Sequence, residues 1–221
     1  MKINLWNDFN RLPKEDILEL EEAIQTIERA EYVNWYDALP RGKVNEINLL
    51  DLALPAYLSA VPNFKSLLAG QGWSTLESKL KDASLALEEV SDEIELANWD
   101  DNAENRELLT KLFMSCIGGS NKNFPGFGPA ATTKLLHKKR PHLIPIIDSW
   151  QLGAWGKGRN TWKTKEMADV AFEIRKEIRE NQSFISDVKD GLSKSPHKDL
   201  SDIRIYDILF WENSRKLIER G

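Results

Sequence analysis

Along most of the chain apolar residues recur at spacings of three and four, a period that restricts the fold to packed amphipathic helices. Ile17, Leu20, Ala23, Ile24 and Ile27 mark one face of a first helix, which Pro13 and the acids after it open and which runs to about Ala30. Ile47, Leu50, Leu54 and Leu58 predict a second helix, kinked or divided by Pro55. A third follows from Leu76, Leu80, Ala83 and Leu87. Asp100 or Asp101 is placed to cap a fourth, carrying Leu108, Leu109, Leu112, Phe113 and Cys116 up to Gly118 and Gly119. Met167, Val170, Ala171, Ile174 and Ile178 define another, and Ser201 caps the last, with Ile205, Ile208, Leu209 and Trp211 facing inward. No set of alternating residues reads as strands, and Pro145 makes the apolar run Leu143 to Ile147 an extended linker. The expected class is all-α.

The length suits one compact unit or two small lobes sharing a core. Without an internal repeat or a flexible linker, any division is made by packing: residues 1–44 with 143–221 form a terminal helical lobe, residues 45–142 a central one, and a cleft lies between. No apolar run approaches the roughly 18 residues of a membrane span, and Met1 to Asn10 lacks the pattern of a signal peptide, so a cytoplasmic monomer is expected. Cys116 is the only cysteine, which excludes an intramolecular disulfide, a cysteine-rich zinc site and a four-cysteine cluster. His137, His142 and His197 lack ligand spacing, so no metal is expected.

Charge is distributed unevenly. The whole chain carries -5, yet residues 119–165 hold Lys122, Lys134, Lys138, Lys139, Arg140, Lys157, Arg159, Lys163 and Lys165 against the single acid Asp148, a local +8. One cationic face on an acidic body attracts a polyanion at one place only. The acids Glu88, Glu89, Asp92, Glu93 and Glu95 read as a solvated surface.

Within the cationic stretch lies the most specific pattern, Phe124-Pro125-Gly126-Phe127-Gly128-Pro129-Ala130-Ala131. Two glycines around an apolar residue allow a tight turn, and a proline suits the first turn of a helix, where its missing N–H would have no partner. Backbone N–H groups at such a start, aided by the helix dipole, receive a phosphate.

These residues resemble the hairpin of the helix-hairpin-helix DNA glycosylase superfamily, which runs apolar-Pro-Gly-apolar-Gly into a helix with a small residue near its start. Pro145-Ile146-Ile147-Asp148-Ser149-Trp150 is similar to the segment bearing that superfamily's aspartate, at matching separation from Gly128. Gly-Phe-Gly-Pro, Thr-Lys-Leu-Leu-His-Lys-Lys-Arg-Pro and Ile203-Arg204-Ile205-Tyr206-Asp207 also resemble a bacterial domain family of unknown function, from about Val33 onward.

The glycosylase resemblance implies that Asp148 is catalytic. It would stabilise the oxocarbenium character that develops as a base leaves deoxyribose, and orient or deprotonate the attacking water. Ala130 stands where lyase-competent members carry a lysine, which implies hydrolysis without strand cleavage. Gly126, Phe127, Gly128, Ala130, Lys122, Lys134, Lys138, Lys139 and Arg140 would contact double-stranded DNA, with at most a monovalent cation held by hairpin carbonyls. Trp150, Trp155 and Trp162, with Trp35 and Tyr36 on an opposite wall, would stack on a flipped base. The substrate would be a damaged or modified base, in repair or in antiviral defence. Two alternatives remain: a DNA-binding module in which Asp148 only caps a helix, and a protein-interaction domain using the acidic surface.

Overall fold

A computed structural model describes residues 19–58, 60, 73–117, 124, 127–148 and 164–220 of the chain. Among the described residues there are helices and no strand. They are α1 (Leu20–Arg29), α2 (Glu31–Asp37), a 3₁₀ segment Asp51–Leu58, α3 (Trp73–Glu88), a 3₁₀ turn Leu96–Asn98, α4 (Ala103–Cys116), α5 (Pro129–Lys139), α6 (Thr164–Glu180), α7 (Gln182–Gly191) and α8 (Asp202–Arg220). None is long and apolar enough to cross a membrane.

The apolar periods become one continuous core. Leu76, Leu80, Ala83 and Leu87 of α3, Leu109, Leu112, Phe113 and Cys116 of α4, and Met167, Val170, Ala171, Ile174 and Ile178 of α6 are all buried in it. Helix α4 packs between α3 and α6, while α1 lies against α7 and α8. Burial pushes the Cys116 thiol up to about 12, so it stays neutral. Arg106 ties α4 to α6 by donating to Asp169 at 2.7 Å, with its guanidinium 4.7 Å from the centre of the Phe172 ring.

Several local details differ from the sequence pattern. The cap of α4 is Asn102, whose side chain accepts from the Asn105 amide at 2.8 Å; Asp101 pairs with Arg106 instead. Asn48 accepts from the amides of Leu50 and Asp51, and this side-chain turn rotates Leu50 outward to 83% exposure, off the predicted apolar face. Pro55 then sits inside a 3₁₀ segment and kinks no α-helix. Sequence reasoning expected neither α2 nor α7: α2 spans too few turns to show a period, while α7 shows one in Phe184, Ile185 and Val188 that was missed.

The largest departure concerns Lys138, Lys139 and Arg140. Expected at DNA phosphates, all three are buried and spend their donors on the protein itself. Lys138 donates to the Tyr36 and Asp37 carbonyls at the end of α2, at 2.8 and 3.0 Å. Arg140 reaches the Leu87 and Val90 carbonyls at the end of α3, both at 2.7 Å, and also bonds the Val44 and Lys139 carbonyls and the Asn45 side chain. All five guanidinium donors are thereby matched. Lys139 pairs with Asp51 at 2.9 Å and donates to the carbonyls of Arg41 and Lys43. Those two carbonyls converge because Gly42 between them adopts φ of 62°, a left-handed turn that glycine takes without strain. Arg41 in turn donates to the carbonyls of Lys138 and Lys139, the last residues of α5. Carbonyls at helix ends lack intrahelical partners and carry the negative pole of the dipole, so cations fit there.

Removing one member of a saturated buried network strands the rest. Arg140→Ala is expected to lower stability by about 3–5 kcal/mol in urea unfolding, far more than truncating an exposed arginine.

Glu177 of α6 is buried, and burial, with Glu180 nearby, pushes its carboxyl up to about 7. The folded state therefore holds this proton more tightly than the unfolded chain, whose glutamates titrate near their ordinary value. Its contribution to stability falls as pH rises from about 4.5 to about 7 and stays unfavourable above that. Glu177→Gln should remove this slope and raise stability at pH 8, on the order of 2 kcal/mol, as read from unfolding midpoints across pH.

Candidate functional site

Helix α5 begins at Pro129, with Gly128 as an extended N-cap that supplies no side-chain bond. Phe124 and Phe127 pack 5.7 Å apart beneath the turn, and the Phe127 amide donates to the Phe124 carbonyl at 2.9 Å. A side-chain carbon built at Gly128 would meet no atom within 4 Å, and its φ of -85° is open to any residue. Among the described residues nothing demands glycine there.

After α5 the chain turns through residues 141–143 and runs back along the helix as the extended segment 144–148. Two side chains of α5 fasten it. His137 Nδ1 bonds the Ile144 carbonyl at 2.6 Å, and burial together with the Arg204 charge pushes this imidazole down to about 3, so it stays neutral and donates. Thr133 Oγ1 accepts from the Ile147 amide at 2.9 Å and lies 3.2 Å from its carbonyl, while also facing the Pro129 carbonyl. The clasp at Ile147 delivers the next residue, Asp148, to the first turns of α5.

Asp148 is half-buried and lines a cavity of about 140 Å³ together with Tyr57, Leu58, Lys134, Ile146, Arg204, Asp207 and Trp211. The volume is close to that of an engineered apolar cavity of roughly 150 Å³ that holds benzene, so it admits about one aromatic ring. Three elements besides the linker build it: the 3₁₀ segment gives Tyr57 and Leu58, α5 gives Lys134, and α8 gives Arg204, Asp207 and Trp211. Lys134 donates to the Leu58 carbonyl at the end of that 3₁₀ segment. Burial holds its amine below the ordinary lysine value, opposed by the carboxylates of Asp148 and Asp207, both close enough to act on it.

Arg204 organises the far wall. Its Nη1 donates to Asp207 at 2.6 Å, and its Nε lies 3.0 and 3.2 Å from the two carboxylate oxygens of Asp37. The ring of Tyr36 is stacked on by Lys138 and Arg204, whose charged groups lie 5.1 and 5.4 Å from its centre. Tyr36 is completely buried, its hydroxyl donates to the Lys134 carbonyl, and burial pushes its pKa far above the ordinary range, so it stays protonated. This corrects its expected place on a base-stacking wall: it is a structural spacer behind the cavity. Trp35 on the next position is 64% exposed and does not line the cavity.

Of the residues singled out in the sequence, Asp148 and Lys134 meet at the cavity, and Phe127, Gly128 and Ala130 lie at the start of α5. Lys122, Gly126, Trp150, Trp155 and Trp162 lie outside the described residues, as do Pro125 and Gly126 among the hairpin carbonyls suggested for a cation. Sequence reasoning missed Tyr57, Arg204 and Asp207. The signal for the last two was present: a charged pair three apart on an apolar helix, where burial forces pairing. Among the described residues no group of three or more His, Cys, Asp or Glu could hold a metal ion.

No curated protein and no solved structure matches the chain. A model of a family of unknown function (DUF6308) matches residues 23–214, nearly the whole length, and the protein belongs to that family.

Proposed function

We propose that the protein is a monofunctional DNA glycosylase of the helix-hairpin-helix type, hydrolysing the N-glycosidic bond of a damaged or modified base flipped into the cavity beside Asp148. The observation that carries this reading is the position of Asp148: a half-buried carboxylate on the wall of a ring-sized cavity, fastened to the first turns of the helix that Gly128 caps. Breaking the bond to the base puts positive charge on the sugar, and a preorganised carboxylate stabilises it while orienting the attacking water. Ile146 and Leu58 keep the surroundings apolar, which strengthens that interaction. Ala130 at the helix start offers no amine for an imine, which favours simple hydrolysis.

The open space at Gly128 supports a close approach of the DNA backbone to the N–H groups of α5. With Lys138, Lys139 and Arg140 turned inward, phosphate contact falls to that helix start and to cations elsewhere in the basic stretch, such as the exposed Lys165. The two-lobed architecture with a cleft and a double-stranded, base-flipped substrate belong to this same reading.

Mass spectrometry of bases released from normal, damaged and hypermodified DNAs tests it. Asp148→Asn should reduce release by about two to three orders of magnitude, the effect of losing roughly 3 kcal/mol of transition-state stabilisation, and leave DNA retention unchanged. Release of no base from any substrate sinks the proposal. Gly128→Ala should stay within about 0.5 kcal/mol of wild-type stability, since no internal atom is touched, yet weaken DNA retention in a salt titration.

A further inference from the structure

We propose that Asp207 is the residue that reads the ring entering the cavity, and that the ring is a neutral nitrogen heterocycle presenting two adjacent N–H donors on one edge, as guanine does. The inference rests on the base-excision reading of the same cavity and assigns the part of its substrate that is recognised.

The two carboxylates of the cavity are held in different ways. Asp148 is placed through its backbone, by the Thr133 clasp on Ile147, and is half-buried. Asp207 is placed through its side chain, which is 8% exposed and takes a 2.6 Å bond from Arg204. Arg204 is itself fixed by Asp37 and by the ring of Tyr36. A carboxylate whose direction is set by such a chain of contacts suits recognition, where geometry must be fixed before the ligand arrives. It only accepts hydrogen bonds, and it accepts several at once, so its tie to Arg204 is compatible with receiving donors from a ligand. Two parallel N–H groups match a carboxylate as the arginine fork does.

Charge and shape define the rest of the ligand. Asp148 and Asp207 are balanced by Lys134 and Arg204 around the cavity, so a ring carrying a net charge gains nothing over a neutral one. Tyr57 and Trp211, with Leu58 and Ile146, offer aromatic and apolar walls to a flat ring, and about 140 Å³ takes one six-membered ring, the part of guanine that carries the donor pair.

Calorimetric titration of the full chain with guanosine, inosine and 1-methylguanosine tests the assignment. Guanosine has the donor pair, inosine lacks the amino group, and 1-methylguanosine lacks the ring N–H. Guanosine should bind about tenfold or more tightly than either, as expected for a hydrogen bond to a charged acceptor, and Asp207→Asn should erase that order. Equal affinities in the wild type, the same order retained in a folded Asp207→Asn protein, or no binding of guanosine up to its solubility limit would overturn the inference. The order is read in the wild type, so a variant that fails to fold leaves the test intact. A guanosine preference without base release from any DNA would overturn base excision and leave Asp207 as the ring reader; release confined to bases without the donor pair would overturn this inference alone.

Discussion

The fold turns on a problem every helical bundle must solve: the last carbonyls of a helix have no partner inside it, and here several helix ends meet in one interior region. Helix α2 ends at Tyr36 and Asp37, the 3₁₀ segment at Leu58, α3 near Leu87, and α5 at Lys139, and each end is bonded by a long cation of α5 or by Arg41. Cations from α5 and from the Arg41 loop fill the gap. Each is expensive to bury alone, and each becomes tolerable because its donors find acceptors whose own bonds would otherwise be missing. Helix α5 is consequently the part against which the other elements are registered.

The cavity inherits its geometry from this arrangement. Lys138 fixes the end of α2, and the end of α2 presents Asp37, which holds Arg204, which directs Asp207 into the cavity. On the other side α5 carries Lys134 and, through Thr133 and His137, the linker that ends at Asp148. Both carboxylates thus trace back to the same helix by separate routes, one through side chains and one through backbone. Four of the charges that look from sequence like a DNA-facing stripe, Lys134, Lys138, Lys139 and Arg140, are internal fasteners of the site.

Much of the helical framework was legible because amphipathic helices record their burial as a period of three and four. Leu76 to Leu87 and Met167 to Ile178 are buried as their spacing requires, and Ser201 caps α8 through the Arg204 amide. What periodicity cannot carry is the fate of a long cation. Lys138, Lys139 and Arg140 have the same local sequence whether they meet a phosphate or a carbonyl, and the choice depends on residues about a hundred positions away. Tyr36 illustrates the same limit: an aromatic beside polar neighbours reads as a stacking platform, while its ring here is enclosed by two cations and a histidine. Asp148 could be singled out because the segment around it resembles one bearing a known aspartate, whereas Asp207 is marked only by its pairing with Arg204 one turn away, a signal common to many helices.

Helix α5 has the mechanical character of a beam braced at both ends. Its C-terminal end is clamped by Arg41, Asp51 and the carbonyls around Lys139 and Arg140, and its N-terminal half, toward a tip roughly 16 Å away for eleven residues, is pinned by Lys134 to the Leu58 carbonyl and by Thr133 to Ile147. A beam held at both ends resists rotation more than one held at a single clamp. Part of the stiffness of the candidate site is therefore set in a loop around Gly42, whose residues are not among those that line the cavity.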